Sequence, residues 1–354
     1  MIKVLGLALY GPLAASTRYR LEQYAPGLAE HGIDLRIHHL LDDQYLRCRF
    51  SGRCPPATPL LKSGWERLSL LMNRQRFDAA MLYAELFPLL PSWLELRLLR
   101  QLPYVHDLDD AFHLKYRRSG WLSVMRPALG GKIDALMADA AAVTAGSGIL
   151  AEYARQRNRN TFILPTVVDT ERHRPLPRAE HAQFTVGWIG SPTTAPYLAQ
   201  LVRPLARLGE EGPVRLLVVG GKAPRIPQVA VEEAEWSEAT EISLINSFDV
   251  GVMPLPDDNW AKGKCAFKLI QCMACGVPVA ASNVGANAEA VSADCGFLAN
   301  CEEDWSAALR FFRDHPEARQ RMGAAGRARA ERLYSLRVAL PVLADILHKT
   351  AASA

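Results

Sequence analysis

The chain has 354 residues, of which 49% are hydrophobic and 22% charged; at roughly 100–200 residues per domain this predicts two domains, or three, and excludes global disorder. No apolar run reaches the roughly 20 residues of a spanning helix, and the opening MIKVLGL is too short and too soon polar for a secretory leader, so a cytoplasmic protein is expected. The formal charge of +4 is uneven, with 21 Lys and Arg against 15 Asp and Glu over residues 1–168 and 20 against 22 over 169–354; the basic first half suits anionic partners, and nucleic acid is disfavoured because no basic stripe is interleaved with aromatics.

Along the chain, short apolar runs alternate with amphipathic helical patterns. Strands are predicted at 2–10, 33–40, 78–83, 103–106, 141–144 and 161–164, with helices at 18–31, 60–75, 86–100, 121–139 and 147–156. Near-continuous apolar strands belong to a sheet covered on both faces, hence a doubly wound parallel sheet. Residues 165–183, PTVVDTERHRPLPRAEHAQ, are rich in proline and charge and read as a linker. The alternation restarts with strands at 184–189, 214–219, 249–253 and 277–281 and helices at 193–207, 240–247 and 265–275, and ends in helices at 302–314, 316–332 and 335–349. This is an α/β architecture of two Rossmann-like halves, with ligands expected in a cleft at the carboxyl ends of the strands.

The seven cysteines (Cys48, Cys54, Cys265, Cys272, Cys275, Cys295 and Cys301) are odd in number and lack a repeated spacing, a poor disulfide framework. Cys272-x-x-Cys275 resembles a redox or zinc pair, but it lies in a helical pattern with no second pair, so buried core cysteines are expected and no metal site.

The most informative stretch is GKCAFKLIQCMACGVPV, Gly263–Val279. The pattern puts a glycine turn before a helix whose first turn carries Lys264 and Lys268 on one face. A helix start with two ammonium groups beside it suits a diphosphate. An amphipathic helix with two solvated lysines accounts for the same residues. Gly276 is placed as a C-terminal cap before Pro278 enters a buried strand.

This stretch resembles the donor-binding helix of GT-B glycosyltransferases of family four (glycosyl transferases group one), where the pattern is close to G-K-x-x-F-K-L-x-x-x-M-A-x-G-x-P-V. Ser282-Asn283-Val284-Gly285-Ala286-Asn287-Ala288-Glu289 is similar to the small-residue loop and acidic residue that follow there, and Cys295-Gly296-Phe297-Leu298 to the next strand. Ala145–Leu150 with Ile163–Asp169 resembles the end of the family's N-terminal domain, and Val186-Gly187-Trp188-Ile189-Gly190-Ser191 the start of its donor domain. The resemblance implies an acceptor domain over 1–168, a donor domain over 169–334, and a helix at 335–354 returning to the first domain. It implies a nucleotide-diphosphate sugar as co-substrate and no cofactor. The sugar would pass to a hydroxyl acceptor, a glycan or lipid-linked saccharide, with retention and without metal. Donor contacts fall by resemblance on Gly190, Ser191, Gly263, Phe267, Gln271, Asn287 and Glu289. Lys264, Lys268 and the amides near Phe267 would meet the leaving diphosphate.

Two departures stand out. The family's pair of glutamates eight residues apart falls here on Gly263 and Gln271; Gln271 can bond a diol, but Gly263 cannot contact a sugar, leaving Asp257, Asp258 or the loop at Asn287 to do so. The usual basic pair after the first donor strand is absent, with Lys264, Lys268 and Arg18 or Arg20 as replacements. Ser191, Thr193 and Thr194 head a helix where hydroxyls and amides can meet phosphate, or simply cap it.

In the first half, Tyr104-Val105-His106-Asp107-Leu108-Asp109-Asp110 ends a predicted strand, and polar residues at strand ends point to function. His106 matches the family's histidine beside the donor sugar. The aspartates suggest an acceptor or phosphate contact, a metal site of the other glycosyltransferase fold, or a helix cap. The loop Tyr10–Arg20 offers Gly11 for close approach and Arg18 and Arg20 for a phosphate or carboxylate; lacking G-x-G-x-x-G, it gives no support for a nicotinamide or flavin. Residues 42–76 set Arg47, Arg49, Arg53, Lys62, Arg67, Arg74 and Arg76 among Tyr45, Phe50, Leu60, Leu61 and Trp65, which suits an anionic membrane carrying a lipid-linked acceptor, or an ordinary loop and helix. Two alternatives to a transferase are a nucleotide-sugar epimerase of GT-B fold and a non-catalytic nucleotide-sugar-binding subunit.

Overall fold

The computed structural model describes residues 1–117, 124–177 and 183–353. The chain divides into two compact units, Met1–Thr166 with Leu336–Ala354, and Val167–Ser335.

The first unit is a six-stranded parallel sheet of β1 (Ile2–Tyr10), β2 (Ile33–Leu41), β3 (Ala79–Tyr83), β4 (Tyr104–Leu108), β5 (Ala142–Ala145) and β6 (Thr161–Ile163), in the order β2-β1-β3-β4-β5-β6. The apolar runs of β1 and β3 are buried throughout their centres, while β2, at the sheet edge, is only half covered and tolerates Asp34, Arg36, His38 and His39. Helices α1 (Ala15–Arg20), α2 (Asp43–Phe50), α3 (Ala57–Met72), α4 (Ser92–Leu99), α5 (Lys132–Asp139) and α6 (Gly148–Arg155) pack on this sheet. Two have side-chain caps: Asp42 accepts from the Tyr45 amide at 2.9 Å and Ser147 from Leu150 at 3.4 Å.

The second unit has β7 (Phe184–Ile189), β8 (Val214–Val219), β9 (Val229–Ala234), β10 (Val250–Met253), β11 (Val279–Ser282) and β12 (Gly296–Ala299), also parallel, in the order β12-β11-β10-β7-β8-β9. Its helices include α7 (Val202–Glu211), α8 (Phe267–Ala274), α9 (Ala286–Ala290), α10 (Glu302–Asp314) and α11 (Pro316–Leu333). The core packs Trp188, Leu205, Leu216, Val252 and Phe312 between sheet and helices. After α8, the Val277 amide bonds to Cys272 O at 3.0 Å and Gly276 N to Met273 O at 2.9 Å. This Schellman closure needs a left-handed residue, and Gly276 supplies φ +69°. The last helix, α12 (Leu336–Ala351), belongs to the first unit and buries Ala339, Leu343, Ala344, Ile346 and Leu347.

Most predicted strands lie within two residues of their observed bounds. The misses are physical. Strand β9 (VAVEEA) is an exposed edge whose charges hide the alternation. The helix expected at 18–31 breaks at Leu21 (φ −128°) and at Pro26 into α1, a 3-10 turn and a second short helix. The helix expected at 193–207 starts as a 3-10 helix over Ala195–Leu201 and continues as α7. The one expected at 86–100 starts only at Ser92, because Ala84 and Leu89 are left-handed. Residues 121–123 of another predicted helix lie outside the described residues, and Gly130-Gly131 separate its remainder into Arg126–Leu129 and α5. The expected linker, of which 178–182 lie outside the described residues, packs onto the second unit: His173 is buried and the Leu176 amide donates to Asn246 Oδ1 at 2.8 Å.

Candidate functional site

In the second unit the sheet order reverses between β7 and β10, which are paired neighbours. Open parallel sheets bind ligands beyond the carboxyl ends of the strands at such a point. The loop after β7 holds Gly190 and Ser191. A Cβ on Gly190 would lie 2.2 Å from the Trp188 ring, so the backbone turns here only as glycine. Ser191 Oγ lies 2.8 Å from Thr193 Oγ1, and Thr194 Oγ1 donates to the Ser191 carbonyl at 3.1 Å. These hydroxyls edge the strand end as a self-bonded turn before the 3-10 helix.

The loop after β10 differs from the expected helix. Asp258 caps a single turn, Asn259–Lys262, by accepting from Ala261 N at 2.7 Å, and Asp257 pairs with Lys262 at 2.8 Å. Both aspartates therefore serve the loop itself. Gly263 and Lys264 close the turn, the Lys264 amide donating to Ala261 O at 3.1 Å, and Lys264 lies three residues before α8. Ala266, left-handed at φ +52°, redirects the backbone into Phe267. Lys264 and Lys268 are thus not one helical turn apart: one is on the approach to α8 and the other in its first turn, both half-buried. Lys268 Nζ lies 5.0 Å over the Phe267 ring and 3.4 Å from Gln271 Oε1. Gln271 is wholly buried, so its amide steadies Lys268 from within the core rather than facing a diol in solvent.

Beyond β11, Asn287 is buried and its Nδ2 donates to Ser282 O at 3.1 Å and Met253 O at 3.5 Å, tying the ends of β10 and β11 together. Its Oδ1 has no hydrogen-bond partner among the described residues. The Leu255 amide donates to Ser282 Oγ at 2.9 Å. A Cβ on Gly285 (φ +57°) would lie 2.6 Å from Lys262 O, which locks this loop against the loop carrying Lys264. Glu289 is exposed on α9, with its backbone carbonyl bonded to Arg329 at 2.8 Å. The two loops and the start of α8 put two cations, a helix N-terminus and a buried amide at one end of the sheet, an arrangement suited to an anionic group.

In the first unit the reversal lies between β1 and β3. Arg20 does not stand at an edge to grip a ligand. It is fully buried, with Nε 2.9 Å from Asp107 Oδ2, its second terminal nitrogen on Asp107 Oδ1, and Nη1 on the Leu164 carbonyl at 2.7 Å. Burial alone would lower the guanidinium pKa, but Asp107 overrides it and the net shift is upward. Thr144 Oγ1 donates to the same carboxylate at 2.6 Å. Arg18 folds back onto the carbonyls of Pro12 and Leu13, and Gly11 is held against Asp43, which accepts from Leu13 N at 2.8 Å.

His106 is not at a strand end, because β4 continues to Leu108; the ring is fully buried, with Nε2 donating to Ala84 O at 2.8 Å. Burial lowers its pKa to about 4. Its contact with left-handed Ala84 supports the loop after β3. Asp109 accepts from Tyr83 Oη at 2.6 Å, and burial pushes its pKa up to about 6. Asp110 accepts from the Ala111 amide at 3.1 Å, a local turn cap.

The residues that sequence reasoning missed are the buried charges. Lys132 Nζ, fully buried, bonds to Glu85, to Glu95 Oε1 at 2.8 Å and to Phe87 O at 2.7 Å; Lys115 and the Tyr116 hydroxyl complete the shell of Glu85. Their signal was present: Lys132 shares the core-facing positions of α5 with Ile133, Leu136 and Met137, and a charge at such a position needs a buried partner. Among the described residues no cluster of three or more His, Cys, Asp or Glu is placed to hold a metal ion. Cys265, Cys272, Cys275 and Cys295 are buried thiols.

Residues 183–313, within the second unit, match the family described as Glycosyl transferases group 1. No curated protein matches the sequence. Among solved structures, the chain is similar to a sucrose-phosphate synthase from Thermosynechococcus elongatus, with TM-score 0.72 at 16% identity over 100% of both chains. It is also similar to Anabaena HepE in complex with UDP and glucose, with TM-score 0.70 at 14% identity over 98% of this chain and 100% of that one. A glycosyltransferase from Rickettsia africae gives 0.70 at 11% identity over 100% of this chain and 99% of the other. The fold is GT-B: two Rossmann-like units, with the closing helix belonging to the first.

Proposed function

We propose that this protein transfers a hexosyl group from a nucleotide-diphosphate sugar to a hydroxyl acceptor, with retention at the anomeric carbon and without a metal ion. The observation that carries the reading is the pair of half-buried lysines, Lys264 in the loop before α8 and Lys268 in its first turn, beside the strand-order reversal of the unit that matches the group 1 family. As the bond from the anomeric carbon to the phosphate oxygen breaks, negative charge grows on the leaving diphosphate. Lys264 and Lys268, with the helix start at Phe267, stabilise that charge where it develops, typically the largest catalytic contribution. Gln271, sealed in the core, orients Lys268. Asn287, buried with its amide on the Ser282 and Met253 carbonyls, holds the ends of β10 and β11 together beside this site.

His106 acts as a support for the loop after β3 rather than as a base, since its imidazole stays neutral at physiological pH. On the acceptor side, Asp109 directly follows β4 with its charge in play near neutrality, and the Gly11 loop follows β1, two strands away in the same sheet. The acceptor hydroxyl belongs to a glycan or lipid-linked saccharide, in keeping with the basic first unit.

Thermal stabilisation by UDP, GDP, ADP, dTDP and CMP tests the reading. One diphosphate should raise the melting temperature of the wild type and fail to do so for Lys264→Ala, because a ligand that binds only the folded state stabilises it by mass action. No shift with any of the five would overturn it.

A further inference from the structure

We propose that the groove between α3 and α4 seats one hydrocarbon chain of an anionic phospholipid, and that this face of the first unit rests on a bilayer. The groove has a volume of about 810 Å³, within the roughly 300–1,000 Å³ of small-molecule sites. Its walls are Leu68 and Leu71 of α3, Leu94 and Leu98 of α4, and Phe87 and Leu90 of the intervening loop. Three arginines, Arg74, Arg97 and Arg100, stand at its rim, and no carboxylate lines it. Arg97 and Arg100 are exposed and pair with no carboxylate among the described residues, and Arg74 donates only to the Leu71 carbonyl at 3.3 Å. An apolar trough collared by unpaired guanidinium groups matches a hydrocarbon chain with a phosphate head.

The surroundings say why the occupant is a bilayer lipid rather than one soluble molecule. On α3, Leu61, Trp65 and Met72 are 74%, 69% and 63% exposed, and Leu68 continues the same stripe into the groove. On α4, Trp93 is 64% exposed. A single soluble ligand would fill the trough and leave these side chains in water. A membrane surface covers them all, with indole rings at the depth they favour. The inward face of α3 explains the inversion. It is held by Arg67, fully buried, which reaches the carbonyls of Ala8, His38 (2.7 Å) and Leu86 (3.0 Å). A guanidinium anchored on backbone fixes the helix, and its apolar stripe is left to face outward.

The test is flotation of the full chain, without nucleotide, with vesicles of phosphatidylcholine alone or mixed with phosphatidylglycerol, and with brominated acyl chains to quench tryptophan. Binding to the anionic vesicles only, falling with salt, is expected. Arg97→Ser/Arg100→Ser should lower the partition about twenty-five-fold, at roughly fivefold per basic side chain. Both residues are exposed, so the fold is kept. Leu94→Trp, which fills the trough without altering charge, should also weaken binding. Quenching should shrink in Trp65→Phe/Trp93→Phe. Absence of flotation, or flotation unchanged in the arginine and Leu94 variants, overturns the proposal. So does a concentration-dependent dimer that the Leu94 variant abolishes, since the face would then be an interface between copies. Because no nucleotide enters the test, it stands or falls apart from the donor-site reading.

Discussion

The two units share a six-stranded parallel sheet but treat charge in opposite ways at the strand ends. The first buries its ionic groups and pairs them internally: Arg20 with Asp107, and Lys132 with Glu85 and Glu95, all at most 1% exposed. The second keeps its core almost free of ionised side chains near β10 and β11, using Gln271, Ser282 and Asn287 there, and leaves Lys264 and Lys268 half-buried. A charge sealed in the core against a carboxylate is architecture, whereas one kept half-buried at a strand end retains surface that a ligand can reach. The same residue types, read from sequence, therefore divide by burial into two kinds of role.

The largest effect should come from breaking the internal network of the first unit. Lys132→Met strands the buried Glu95 and leaves Glu85 with Lys115 as its one cation, and loss of one partner of a buried pair costs about 3–5 kcal/mol. Urea unfolding should show the loss, and adding Glu85→Gln and Glu95→Gln should recover part of it; full stability in Lys132→Met alone would dissolve the contrast. In the second unit the opposite split is expected. Lys264→Ala with Lys268→Ala should lower sugar transfer by roughly 10²–10³, the scale of losing a preorganised charge-stabilising group, with stability changed by less than about 0.5 kcal/mol. A matching drop in melting temperature would make these lysines structural too.

Acid should separate the units further. His106, His38 and His113, all in the first unit, have pKa values lowered to about 4, burial being the first cause in each. The folded ring stays neutral where the unfolded ring, titrating near 6.5, takes up a proton. The stability this represents is complete above about 6.5 and is lost as pH falls towards 4. Asp109 works in the opposite sense: folded it titrates at about 6 instead of 3.8, so its contribution declines as pH rises through that window. In urea midpoints measured across pH, His106→Asn should remove on the order of 3 kcal/mol of acid sensitivity, and Asp109→Asn should steepen what remains. The smallest effect is local: Gly276→Ala forces a side chain into the left-handed region at φ +69°, costing about 1–2 kcal/mol in a calorimetric scan without moving nucleotide affinity.

The architecture was largely legible in the sequence because buried parallel strands announce themselves as apolar runs such as VRLLVV and FTVGWI. Charged edge strands such as β9 do not. Of the candidate site, the Gly263–Val279 stretch was legible as chemistry, but its geometry was not: periodicity carried the helix back to Cys265, whereas left-handed Ala266 starts it at Phe267 and separates the two lysines. Arg20 and Asp107 looked like ligand-facing groups because residue type says nothing about a partner 87 positions away. His106 looked terminal because its strand runs two residues further, through an aspartate neutralised by that same partner.

The ownership of α12 bears on how the molecule is made. The second unit, Val167–Ser335, is one continuous stretch, whereas the first is interrupted by it and closed by the helix that follows. Leu340 of that helix lies so close to Gly27 that a Cβ there would come within 2.4 Å of it, and the His348 ring bonds to His31 O at 2.9 Å. On the ribosome, the half translated second can fold as soon as it emerges, while the half translated first waits for the helix encoded after it. Order of synthesis and order of completion are reversed, so until α12 arrives the early half exposes the surface that Leu343 and Leu347 later cover.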